Sequence, residues 1–128
     1  MKHVPFRLLI VEDDVTFRKH LHLMLDAAGF DVMLAWDPEE ARRQVRSNVP
    51  DVAIVDIMLP PRHEAKSGLD LCRSLHAEHP SMGLMIATVR VDEETLNEAR
   101  QITPHVVVKT DFDEGVIDRL LDIARARR

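Results

Sequence analysis

Short apolar runs recur along the chain at residues 8–11, 32–34, 52–55, 84–87 and 106–108, built from Val, Ile, Leu, Met and Ala. Runs of that length, rich in β-branched residues and separated by polar segments, predict strands buried on both faces. Between them the apolar spacing changes to that of a helix. Phe17, Leu21, Met24, Leu25 and Ala28 share one helical face, and Gly29 supplies the stop. Asp37-Pro38-Glu39-Glu40 opens a second helix. There Asp37 serves as N-cap, Pro38 takes the first helical position and Glu40 is placed for a capping box, with the helix running to about Asn48. Leu69, Cys72 and Leu75 mark a third helix after Gly68, and Leu96 and Ala99 a fourth after Asp92. Val116, Ile117, Leu120, Leu121 and Ala124 mark a fifth after Asp113.

Buried strands alternating strictly with helices require right-handed crossovers and a parallel sheet covered on both sides. The expected architecture is α/β: a flavodoxin-like, doubly wound (βα)5 fold with a five-stranded parallel sheet in the order 2-1-3-4-5. A chain of 128 residues is long enough for one such core, so one domain over 1–128 is expected. In this architecture the functional crevice opens beyond the carboxyl ends of the strands, where the strand order reverses.

The strand ends are where polar chemistry concentrates. The first run stops at Glu12-Asp13-Asp14 and the third at Asp56, which brings several carboxylates to the same edge of neighbouring strands. Like charges that close repel unless protons are taken up or a hard divalent cation binds, and an all-oxygen donor set suits Mg²⁺. Helix capping accounts for Asp14, or for Asp13, but not for Asp56, because no helix is expected before Gly68. The fourth run ends in Thr88 and the fifth in Lys109. A carboxylate nucleophile, a cation site, a hydroxyl and an ammonium are the parts that phosphoryl transfer requires.

Four motifs in this order, LLIVEDD (8–14), VAIVDIMLP (52–60), LMIAT (84–88) and VVVK (106–109), resemble the receiver domains of two-component response regulators, across nearly the whole chain. The resemblance implies that Asp56 accepts a phosphoryl group from a sensor histidine kinase or a histidine phosphotransfer protein. It implies that Asp13 and Asp56 hold Mg²⁺ together with the carbonyl of Met58, and that Glu12 acts on the ion mostly through water. Thr88 would hydrogen-bond the phosphoryl oxygen and Lys109 would pair with it. It also implies a switch rather than a turnover enzyme. The residues two beyond the acceptor and two beyond the threonine, Met58 and Arg90, offer neither amide nor carboxylate to orient water, so slow self-dephosphorylation is expected.

Three departures from the family pattern stand out. Thr110 follows Lys109 where a cis-proline is usual, so this bond is expected either trans with a rearranged loop or cis at a cost of about 2.5–4 kcal/mol. Val106 replaces the usual aromatic, and the chain has no Tyr, so output is expected to couple through Thr88 and the backbone. The loop 61–67 is about four residues longer than usual. Its Arg62, His63 and Lys66 are read as a solvated surface, with a reach towards the phosphoryl group or a partner as the sharper option.

The remaining signals narrow the classes. A net charge of −5 provides no basic field for a phosphate backbone, so direct nucleic-acid binding is not expected. No run approaches the roughly 20 apolar residues of a membrane span, and residues 1–11 lack the form of a signal peptide, which points to the cytoplasm. Met1 reads as a natural start, and the sequence allows either a stand-alone receiver or a piece of a longer regulator. Cys72 falls on a core stripe, and His76 and His79 lack partners for a Zn²⁺ set. Asp92, Glu93, Glu94 and Glu98 on the fourth helix and Arg119, Arg125, Arg127 and Arg128 on the fifth read as a solvated surface, or as a homodimer contact through these helices. An aspartate-nucleophile phosphohydrolase would place a second Asp where Met58 stands, and a nucleotide binder would need a Gly-rich loop in place of Glu12-Asp13-Asp14. A receiver acting as a phosphorylation-independent interaction module is the surviving alternative.

Overall fold

The computed structural model describes residues 5–89 and 92–127, so Arg90 and Arg128 lie outside the described residues. The elements alternate as expected: β1 (Arg7–Val11), α1 (Val15–Ala27), β2 (Asp31–Ala35), α2 (Pro38–Ser47), β3 (Val52–Asp56), α3 (Ala65–Glu78), β4 (Gly83–Thr88), α4 (Glu93–Ile102) and β5 (Val106–Val108), then a 3₁₀ turn (Lys109–Asp111) and α5 (Glu114–Ala126). All neighbouring strands pair in parallel, in the order β2-β1-β3-β4-β5. This is the flavodoxin-like order that the sequence predicted.

The period of two along each strand deals its side chains to two cores. Leu9, Val11, Ala53, Val55, Leu84 and Ile86 face one side, where α2, α3 and α4 cover them with Ala41, Val45, Leu69, Cys72, Leu75 and Ala99. Leu8, Ile10, Val52, Ile54, Met85 and Val107 face the other, under Leu21 and Leu25 of α1 and Leu120 and Ile123 of α5. Leu8, Leu9, Leu25 and Leu71 have no exposed surface, and full burial of a side chain that size contributes about 1.5–3 kcal/mol.

Four helices begin on an aspartate whose carboxylate accepts from the orphan N–H groups of the first turn. Asp14 accepts from Thr16 (3.0 Å), Asp37 from Glu40 (2.7 Å), Asp92 from Thr95 (3.1 Å) and Asp113 from Gly115 (2.9 Å). Each such cap is worth about 1 kcal/mol. The capping box at α2 forms only in part, because the Glu40 carboxylate turns to Arg43 and Gln44.

The start of α3 differs from expectation. The helix begins at Ala65, three residues before the glycine read as its boundary. Gly68 instead lies against the backbone after β3. Its N–H donates to the Ile57 carbonyl at 2.9 Å, and a Cβ there would stand 2.0 Å from the Ile57 Cα. The glycine is required by the close approach of helix to strand end, not by a break in the helix. Gly29, by contrast, has φ +98° and does end α1.

These two glycines predict different costs for one substitution. Gly68→Ala must displace backbone and is expected to lower stability by about 3 kcal/mol or more. Gly29→Ala meets no atom within 4 Å, so only its backbone conformation opposes it, at about 1–2 kcal/mol. Urea unfolding midpoints of the two variants measure the difference. Cys72 is fully buried and burial pushes its thiol up to about 12, so it is expected to stay unmodified by a thiol reagent until the chain unfolds.

Candidate functional site

The site lies at the carboxyl edge of β1, β3 and β5, and the strand period explains why its members meet. Glu12, Asp56 and Lys109 each fall one step after a residue that faces the α2–α3–α4 core, namely Val11, Val55 and the position of Val108. They therefore turn to the α1 and α5 side. Register then aligns them: Val11 pairs with Val55, Asp56 with Ala87, and Thr88 with Val108. Lys109 must cross the width of β4, and the β4 residue level with Asp56 on that face is the small Ala87.

Glu12 and Asp56 are almost wholly buried, at 1% and 5% exposure. Carboxylate oxygens of Glu12, Asp13 and Asp56 all lie within 4.8 Å of one another, the one such grouping of acids, His or Cys among the described residues. The Lys109 ammonium bridges two of the acids, with Nζ 2.5 Å from Glu12 Oε1 and 3.0 Å from Asp56 Oδ2. Asp56 Oδ1 accepts the Met58 N–H at 3.0 Å. Thr88, fully buried, closes β4 at the same edge.

The bond between Lys109 and Thr110 is trans, since Pro60–Pro61 is the one cis peptide among the described residues. A 3₁₀ turn over Lys109–Asp111 takes the place of the usual proline corner and still delivers the ammonium to Asp56.

Sequence reasoning missed the supports of this arrangement. The Phe17 ring lies under the Lys109 ammonium, 4.6 Å from centroid to Nζ, and meets Phe112 edge-on. Arg18 donates to the Glu12 carbonyl at 2.9 Å and lies over Trp36. Phe17 was legible as core, but nothing along the chain signals that its face would carry a cation. The 61–67 loop is not wholly a solvated surface either: His63 Nε2 stands 2.7 Å from Asp13 Oδ2.

One ammonium does not neutralise three carboxylates. Burial foremost, then the neighbouring Asp56, raises the Glu12 carboxyl from 4.5 to about 8 against the opposing pull of Lys109. Burial works against the charge of Lys109, but Glu12 and Asp56 outweigh it and hold the ammonium above its ordinary value. The donor set is all carboxylate and the excess charge is negative, so these residues fit a hard divalent cation.

The raised Glu12 carboxyl predicts a pH dependence in metal-free solution. Between about 4.5 and 8 the folded protein holds a proton that the unfolded chain has released. Stability from this group is therefore full below 4.5 and is lost as pH rises through 8. Urea midpoints are expected to fall from pH 5 to pH 8 in the wild type, and this component is expected to vanish in Glu12→Gln.

Comparison with known proteins agrees with this geometry. A model of the response regulator receiver domain matches residues 8–122. Response regulator MprA of Mycobacterium sp. (strain KMS) is 33% identical over 87 residues, which cover 68% of this chain and 36% of that protein. Transcriptional regulatory protein PhoP of Escherichia coli (strain K12) is 36% identical over 84 residues, covering 66% of this chain and 36% of PhoP. The chain thus matches about a third of the length of these relatives. A solved response regulator receiver domain protein from Methanospirillum hungatei JF-1 superposes with a TM-score of 0.87 at 19% identity, covering 97% of both chains. A response regulator from Thermotoga maritima gives 0.82 at 19% identity, over 95% of this chain and 99% of that one. At such identity these two structures speak for the fold alone. The family match, spanning almost the whole sheet and all of the acid cluster, makes this chain a member of the response regulator receiver domain family.

Proposed function

We propose that the chain is a phosphorylation switch in which Asp56 accepts a phosphoryl group from a histidine kinase or a histidine phosphotransfer protein. The observation that carries this reading is the placement of Asp56: a carboxylate buried at a strand end, fixed through one oxygen by the Met58 N–H and through the other by Lys109, beside two further acids. A carboxylate held so is oriented as a nucleophile rather than spent on a helix cap.

In the proposed reaction an Asp56 oxygen attacks phosphorus, the new O–P bond forms as the donor's N–P bond breaks, and the electron pair leaves on the donor imidazole. Lys109, already at Asp56, neutralises charge on the phosphoryl oxygens. The Thr88 hydroxyl hydrogen-bonds one of those oxygens and follows it after transfer. Asp13, Asp56 and the Met58 carbonyl would hold Mg²⁺, with Glu12 acting on it through water, and the ion would supply positive charge between the acids and the incoming phosphoryl group.

Met58 offers no group to orient attacking water, which supports a long-lived acyl phosphate and slow self-dephosphorylation. As a receiver domain the chain is a signalling phosphoacceptor rather than a turnover enzyme. The phosphorylation-independent alternative draws on Thr110 and on Val106; the contact of Lys109 with Asp56 weighs against the first of these and leaves the second standing. The reading further holds that residues 1–128 form one receiver unit, that it works in the cytoplasm, and that α4 and α5 form a homodimer contact. No described helix is long and apolar enough to cross a membrane.

Incubation with acetyl phosphate and Mg²⁺, read by intact mass, tests the assignment. The wild type is expected to gain one phosphoryl group and Asp56→Asn none; an unmodified wild type overturns the reading. Lys109→Ala is expected to slow labelling by roughly tenfold or more, about 1.4 kcal/mol of barrier. Met58→Asn is expected to shorten the lifetime of the label.

A further inference from the structure

Lys109 reaches Asp56 from a turn with no buried residue of its own. Within the 3₁₀ turn over Lys109–Asp111, Thr110 and Asp111 are exposed. The Phe112 N–H donates back to the Lys109 carbonyl at 3.3 Å, which is long for such a bond. Phe17 meets both ends of this turn. Its ring centroid lies 4.6 Å from Lys109 Nζ, and the ring meets that of Phe112 edge-on, with centroids 6.3 Å apart and planes at 88°. Phe17 is itself fixed. Its N–H is accepted by the Asp14 carboxylate at 3.4 Å in the first turn of α1, and its side chain packs against the core beneath α1 and α5.

We propose that Phe17 is a positioning residue for phosphoryl transfer: the face of its ring holds the Lys109 ammonium at Asp56 by a cation–π attraction that the reaction leaves in place. This rests on the phosphoacceptor reading of Asp56 given above. Both carboxylates that Lys109 touches take part in the chemistry proposed there, since Asp56 becomes an acyl phosphate and Glu12 acts on the ion. The ring is unchanged by transfer, and its negative face attracts an ammonium without adding charge to a crowded acidic pocket. A further acid in its place would deepen the excess negative charge and compete with the phosphoryl oxygens for Lys109. The Lys109 side chain is only 13% exposed, and such an attraction is stronger where the cation is desolvated than at a solvated surface. The edge-on contact with Phe112 ties the ring to the same turn that carries the lysine.

The test follows labelling of the whole chain by acetyl phosphate and Mg²⁺, with phenylalanines carrying one, two or three ring fluorines placed at position 17. Each fluorine weakens the negative face of the ring and changes its volume little. Labelling rates are expected to fall stepwise with fluorine number, and by about fivefold in Phe17→Leu. Phe17→Tyr keeps the ring face and is expected to label close to the wild-type rate. In a Lys109→Ala background the fluorine series is expected to have no effect, because the ring then has no cation to hold. Rates independent of fluorine number, or an equal fall in the Lys109→Ala background, overturn the role of Phe17 and leave the phosphoacceptor reading intact. A wild type that takes no label overturns that reading and the role of Phe17 with it.

Discussion

The structure turns on a single cation against crowded acids. Lys109 stands between Glu12 and Asp56 in a pocket almost closed to water, where charge interactions are strong and uncompensated charge is costly. Removing an ammonium from that position would leave two buried carboxylates facing each other. The 3₁₀ turn, the Phe17 ring and the Arg18 contact to the Glu12 carbonyl can all be understood as holding this one arrangement in place.

That balance is incomplete by design of the donor set. The ammonium offsets part of the negative charge, and Glu12 holds a proton well above the usual carboxylate range. A pocket in that condition favours added positive charge. In the proposed switch, a change at Asp56 would alter what Lys109 and Thr88 pair with; Thr88 ends β4 and Lys109 directly follows β5. The core beneath is apolar and closely packed, so the strand ends are fixed in position while the loops beyond them are free to vary.

The 61–67 loop illustrates that freedom. Its residues before α3 bring an imidazole to Asp13, and Ala65, which opens the helix, packs against the α2–α3–α4 core. The same stretch contains the cis Pro60–Pro61 peptide and the turn that returns the chain to α3.

Much of this was legible along the chain. Strand and helix order followed from apolar spacing, because burial on two faces imposes a continuous run on a parallel strand and a 3.6-residue stripe on each helix. Asp56 was legible because it ended an apolar run with no helix to cap, and Asp37 was legible as an N-cap from the Pro and Glu that follow it, whereas the choice of Asp14 over Asp13 came from the structure. Gly68 was misread, since a glycine needed for close approach and one needed to end a helix look alike in one dimension. The path of Lys109 to Asp56 without a following proline, the ring beneath it, and the reach of His63 to Asp13 were settled only by tertiary structure. Local sequence carries the period and the caps because these depend on neighbours a few residues away; those three contacts join residues 53, 92 and 50 positions apart, and their geometry exists only once the sheet has set its register.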